Sequence, residues 1–294
     1  MRLRPFLFFR NLFIRLLTFL AQPLWRMEHL IISTVTILIF YSNTQKRQTT
    51  QTMKTQYHTL KRLALACMLL SFFSFSALAQ KTVDAADIMK DIKAGKDISY
   101  ENVTVTGVLD FTYMEDKEED LPVRRRWWRN GGSNKVNEVI ESKISFVNVT
   151  FEEDVLAYYH NEHTEYTFTA DFENDVIFEN CTFQRDAMFK YSQFDRDARF
   201  EGSAFNRETT FKYAEFEQKA QFSATTFEED AIFKYTKFYD GVSFEKARFE
   251  RSLDMKYTKV RGDFDTKGLY VRWDIDTKYT KINGRGFSKH MLDN

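Results

Sequence analysis

Five lysines stand 22 residues apart, at Lys190, Lys212, Lys234, Lys256 and Lys278, and each is followed by a tyrosine: Tyr191, Tyr213, Tyr235, Tyr257 and Tyr279. Ammonium groups held at a fixed interval attract a polymer of negative charge, and tyrosine rings beside them can offer stacking faces to a glycan. Such a row repels itself unless carboxylates stand near, for which Asp195, Glu201, Glu217 and Glu245 are the candidates. The plainer expectation is that repeated units duplicate their surface along with their core, with the tyrosines packed over a corner.

A second group is Arg124-Arg125-Arg126-Trp127-Trp128-Arg129, which follows the acidic run Glu115, Asp116, Glu118, Glu119 and Asp120. Arginine and tryptophan together are enriched at binding hot spots and form cation-π pairs. The bland reading is a flap with its tryptophans buried and its arginines paired to the acidic run. His160 and His163 have a spacing open to metal ligation, yet two histidines without a third or fourth ligand in register do not make a metal centre. There is no glycine-rich phosphate loop, no serine or cysteine nucleophile with a matching base, and no inward polar cluster, so no catalytic residue, cofactor or metal is expected. The candidate binding surface is Lys190, Tyr191, Lys212, Tyr213, Lys234, Tyr235, Lys256 and Tyr257, with Arg125, Trp127 and Trp128.

What places the lysines in a row is a rhythm of phenylalanine. It recurs at alternating steps of five and six residues from Phe178 through Phe183, Phe189, Phe194, Phe200, Phe205, Phe211, Phe216, Phe222, Phe227, Phe233, Phe238 and Phe244 to Phe249. Two residues before each lies a small or slender side chain, as at Ala187, Ser192, Ala198, Ser203, Thr209, Ala214, Ala220 and Thr225. A helix repeats its apolar face at three and four residues and a strand at two, so neither fits as a long element. A solenoid does, each step being one short side with two inward residues and an outward corner. The tetrapeptides from Phe189, Phe211, Phe233 and Met255 (FKYS, FKYA, FKYT, MKYT) recur every 22 residues, which selects four sides to a coil. The extra residue in every second unit (Asp186, Asp197, Glu208, Lys219, Asp230, Gly241) enlarges one type of corner.

These units resemble the pentapeptide-repeat family, in particular a phenylalanine-rich branch with alternating five- and six-residue A-x-F units. The resemblance implies an all-β solenoid, a right-handed quadrilateral parallel β-helix, over residues 98–282. The rhythm opens with Ile98, Tyr100, Val103, Val105, Leu109 and Phe111, and is expected to be broken by insertions at 112–143 and 152–167. At the far end it decays through Met255, Val260, Val271 and Ile282, with Phe287, Met291 and Leu292 available to close the last coil in a C-terminal cap over 283–294. About six to seven coils at the strand spacing of ~4.8 Å make a rod of roughly 30 Å.

Ahead of the coils, helical spacing from Asp84 to Ala94 puts Ala85, Ile88 and Ile92 on one face, with Asp84 as N-cap and Gly95 as the stop; residues 80–97 are expected to be a capping helix. Lys54, Lys61 and Arg62 precede an apolar run from Leu63 to Phe75, and Ala77-Leu78-Ala79 before Gln80 fits signal cleavage near Ala79. Met53 opens this segment, so residues 1–52 read as a mis-assigned upstream extension and 53–79 as the signal. The competing membrane segments, Phe6–Leu20 and Leu30–Tyr41, fall short of the ~20 apolar residues a spanning helix needs. Cys67 stands only five residues beyond Arg62, too early in the run for a lipidated cysteine.

The formal net charge is zero, but residues 1–79 hold ten basic residues and one acidic, leaving 32 basic and 41 acidic in the rest. Cys181, at a small inward position, is then the single cysteine and is expected to be a buried, inert thiol. Asn102, Asn148 and Asn180 sit in Asn-x-Thr triplets but fall at corners, where asparagine tolerates a positive φ. The expected function is that of a non-catalytic exported binding or scaffolding rod, periplasmic or secreted, whose partner is a protein or glycan of the bacterial envelope. Contact with a membrane is expected only through an uncleaved N-terminal segment. The resemblance also implies an alternative, an acidic DNA mimic that inhibits a DNA-binding enzyme; export and the lysine row argue against it. A β-helix enzyme acting on polysaccharide is a third reading, weakened by the missing acid-base cluster.

Overall fold

The computed structural model describes residues 81–118, 121 and 134–288. Four parallel sheets form the walls. In the chain order of one repeat, the first face carries Val176–Glu179 and Ala198–Arg199, the second Thr182–Phe183 and Ala204–Phe205, the third Ala187–Met188 and Thr209–Thr210, and the fourth Gln193–Phe194 and Glu215–Phe216. From Val176 onward register advances by 22 residues, with Phe183 opposite Phe205 and Phe205 opposite Phe227, while the excursions lengthen the first two coils, where Ile98 stands opposite Ile144 and Ile144 opposite Val176. The expected quadrilateral solenoid is therefore the fold, with seven stacked turns between Ile98 and Ile282.

Every phenylalanine of the rhythm from Phe178 to Phe249 is buried, and so are the small residues two places earlier. Rings on one face stack from coil to coil, as Phe194 on Phe216 at 4.7 Å and 2°, while rings on the opposed first and third faces meet edge to face, as Phe200 on Phe211 at 5.3 Å and 75°. Both arrangements suit the ring quadrupole. At three hydroxylated small positions of this rhythm the oxygen donates to the carbonyl of the phenylalanine 25 residues earlier, Ser203 to Phe178, Thr225 to Phe200 and Thr236 to Phe211, while Thr209 donates to the carbonyl of Arg207. Ser192 is fully buried and its hydroxyl has no partner. Ser192→Ala is accordingly expected to be neutral or to stabilise by up to about 1 kcal/mol, whereas Thr236→Val, which removes one of two donors to the Phe211 carbonyl, costs about 0.5–1.5 kcal/mol; paired urea titrations read the difference in sign.

The five-residue corners are tight turns. Between third and fourth faces, Ala214 donates its N–H to the Phe211 carbonyl and Thr236 to that of Phe233, and the residue at the third position of each turn has a positive φ. Between first and second faces the same position holds Asn102, Asn148 and Asn180 (φ 55°, 54° and 52°), then Gly202. The asparagine triplets are thus turn chemistry, as expected.

At the N-terminal end, helix α1 (Ala85–Lys93) is capped by Asp84, whose Oδ1 accepts from the Ala86 N–H at 2.8 Å, and it buries Ala85, Ile88, Met89 and Ile92. Gly95 follows at φ 73°. The cap is more than a helix, because Lys81–Asp84 is a strand paired in parallel with Val103–Thr106. Two bounds need correction. Lys135–Ile140, placed by the sequence rhythm inside an insertion, is a wall strand of the fourth face, with Ile140 opposite Phe172; isoleucine in the phenylalanine register hid it. Val155–Leu156 likewise belongs to the third face, and the excursion there is a short hairpin, Tyr158–His160 antiparallel to the start of Thr167–Phe172. At the C-terminal end a hairpin joins Lys281–Ile282 to Arg285–Gly286 through Asn283 and Gly284, both at positive φ, the signature of a type I′ turn. Phe287 packs against the core, while Met291 and Leu292 lie outside the described residues. Residues 1–79, with the expected signal and upstream extension, also lie outside them. Among the described residues no helix is long and apolar enough to cross a membrane.

Candidate binding strip on the third face

Lysine and tyrosine of each repeat occupy the second and third positions of the turn between third and fourth faces. A positive φ at the third position normally calls for glycine or asparagine, yet Tyr191, Tyr213, Tyr235, Tyr257 and Tyr279 adopt it at 60° to 65°. Ring contact offsets the strain. Tyr191 lies 4.9 Å from Tyr213, Tyr213 4.7 Å from Tyr235, Tyr235 4.6 Å from Tyr257 and Tyr257 4.8 Å from Tyr279, all stacked. The expectation that these rings offer stacking faces to a ligand is therefore corrected: inside the ladder each ring faces its neighbours. Edges and hydroxyls remain, together with Tyr279, 60% exposed at the last coil.

The lysines run beside this ladder. Nζ of Lys212 lies 5.4 Å from the ring centre of Tyr213, and that of Lys234 5.5 Å from the ring centre of Tyr235. Lys190 donates to the Tyr158 hydroxyl at 3.0 Å and lies over that ring, so the hairpin closes the upper end of the row. None of the proposed counter-charges pairs with the row: Glu245 reaches Lys246 at 3.0 Å, and Asp195 accepts from Gln193. Compensation comes instead from the third face itself. Asp254 and Asp276 hold Lys256 at 3.7 and 3.0 Å, and the hydrogen bond to Asp276 raises its pKa. For Lys190, Lys212 and Lys234 no carboxylate among the described residues comes within ion-pair range. Burial, then repulsion from Lys190 and Lys234, lowers the pKa of Lys212.

The other sequence candidates are not brought to this strip. Arg125, Trp127 and Trp128 lie outside the described residues. His160 shares a hydrogen bond with the Thr167 hydroxyl at 2.9 Å, and among the described residues no three His, Cys, Asp or Glu are grouped to hold a metal ion. Cys181 is a free, buried thiol, its Sγ near the carbonyls of Phe146 and Glu179, and burial pushes its pKa up to about 12.

Sequence reasoning missed an exposed aromatic group on the last coil, Tyr270, Trp273 and Ile275, with Arg248 over Tyr270 and Arg251 over Trp273. Its signal was available: Tyr270 is in register with Arg248 at an outward position. Two depressions lie at six-residue corners. One is lined by Asp197, Arg199, Lys219 and Asp240, the other by Asp154, Arg185, Asp186 and Arg207, acid and base intermixed in both.

The sequence profile of the family described as pentapeptide repeats (9 copies) matches residues 169–215 and 211–259. No curated protein and no solved structure matches the chain.

Proposed function

The chain belongs to the pentapeptide-repeat family, a generally non-enzymatic protein-binding fold, and on that premise we propose that it is an exported, non-catalytic rod of the bacterial envelope that holds a protein or glycan along its third face. The observation carrying this reading is the column of Lys190, Lys212 and Lys234, repeated in register and left without carboxylate partners among the described residues. A solenoid wall presents the same chemistry at each turn, which favours long repetitive partners over small ones. Uncompensated cations also interrupt the acidic surface that a mimic of duplex DNA needs. Intermixed acid and base at the two depressions favours solvated corners over an acid-base cleft.

Cell fractionation tests the reading. Tagged full-length chain is expected outside the cytosol with a new N-terminus near Gln80, and in-cell crosslinking is expected to capture an envelope component through the third face. Recovery of uncleaved protein in the cytosol with a DNA-binding enzyme would overturn it.

A further inference from the structure

One column of outward residues on the third face decides where the lysines are free. Leu156, Met188, Thr210, Ile232, Asp254 and Asp276 follow one another in register, each from Met188 onward two residues before the second position of its turn. Where the column is apolar or neutral, Lys190, Lys212 and Lys234 lack counter-ions; where it turns acidic, Lys256 is paired. The result is a cationic stretch three coils long with a defined end. The hydroxyls of Tyr213 and Tyr235 alongside it make no hydrogen bond to any described residue. Neighbouring rings from Tyr191 to Tyr257 are within 8° of parallel, so the column hardly twists.

We infer that this stretch binds an acidic polysaccharide laid along the coil axis, its carboxylates on Lys190, Lys212 and Lys234 and its ring hydroxyls on the tyrosine hydroxyls. The inference rests on the reading of the rod as a non-catalytic binder and supplies its ligand class. Spacing selects the class. Coils repeat at ~4.8 Å, close to the advance of one equatorially linked sugar ring, so anionic groups on each ring or on every second ring meet successive ammoniums. Side chains on one face of an extended acidic peptide recur at about 6.6–6.8 Å and fall out of step after one repeat. Duplex nucleic acid winds its phosphates away from a straight column. Relief of the repulsion among three close cations adds to the attraction, and makes it sensitive to salt.

The test titrates protein purified from cells expressing the full chain with β-1,4-linked hexamannuronate, with β-1,4-mannohexaose, which is the same chain without carboxylates, and with hexaglutamate. Hexamannuronate is expected to bind at least about tenfold more tightly than either control, and less tightly as salt rises. Lys212→Glu with Lys234→Glu is expected to weaken it by at least about tenfold, and Lys212→Gln with Lys234→Gln by a smaller factor. Lys256→Gln, at a lysine already paired, is expected to change affinity less than about twofold. Equal affinity for mannohexaose, equal or tighter binding of hexaglutamate, undiminished binding by both double variants, or no binding of hexamannuronate overturns the inference. Loss of the sugar arm with the protein still exported and crosslinked sinks this ligand class alone; a cytosolic, uncleaved protein sinks the rod reading itself.

Discussion

Phe211→Ala is expected to destabilise the protein by about 3–5 kcal/mol and to lower its melting temperature by on the order of 10 °C. The ring is fully buried and touches five others, Phe189 and Phe233 stacked above and below at 5.1 and 5.0 Å, Phe200 and Phe222 edge-on at 5.3 and 5.2 Å, and Phe216 tilted at 6.0 Å. Truncation removes the transfer free energy of the ring and leaves a void that stacked coils cannot collapse to fill, because backbone hydrogen bonds fix their spacing. A solenoid couples only neighbouring coils, so a void at mid-rod weakens the interfaces on both of its sides. Phe264, partly buried in the last coil with no full turn beyond it, serves as the comparison, and Phe264→Ala is expected to cost less than half as much. Thermal melts followed by circular dichroism check both. Coincident curves for Phe211→Ala and the native chain would contradict the inward packing of the rings.

How much of this was legible follows from what repeats. Burial of the phenylalanines and their small partners could be read directly, because from Phe178 to Phe249 every ring position is phenylalanine and every inward partner small or slender, and the 22-residue identity leaves one number of sides. Asp84 and Gly95 marked helix α1 for the same reason: cap chemistry is local. Lys135–Ile140 and Val155–Leu156 escaped because wall strands need only apolar residues of suitable volume. Ile140 or Ala157 can stand where phenylalanine stands elsewhere, and the rhythm falls silent although the fold continues. The strip was half legible. Its members could be named from spacing, but the mutual stacking of the tyrosines depends on turn geometry, and the counter-ions come from a neighbouring column on the same face, Asp254 and Asp276, and not from the next corner. Ser192 could not be singled out at all, since nothing in the sequence of the repeat distinguishes it from Ser203, whose hydroxyl does find a carbonyl.

Gly241→Ala is expected to cost about 3 kcal/mol, the upper part of the range for a residue forced into sparsely allowed backbone space. Gly241 stands at a six-residue corner with φ 99°. One coil earlier the same corner holds Lys219, which is not among the positive-φ residues, so the glycine marks a local change of path rather than a rule of the repeat. A Cβ there would lie 2.6 Å from the carbonyl oxygen and 2.8 Å from the nitrogen of Asp263, backbone atoms of the next coil that cannot swing aside as a side chain could. Those atoms are also held: the Asp263 carbonyl accepts from the N–H of Val242 at 2.8 Å, and moving it breaks the rung between coils. Gly262 faces the same approach from the other side, its virtual Cβ 2.9 Å from the Asp240 carbonyl carbon. The two glycines therefore let adjacent corners between the fourth and first faces close together. Gly95 separates strain from collision, because it shares a positive φ, 73°, with nothing within 4 Å of its virtual Cβ. Gly95→Ala is expected to cost only about 1 kcal/mol. Equal midpoint shifts for the two variants in denaturant titration would show that φ alone sets the cost and that adjacent coils do not meet at Gly241.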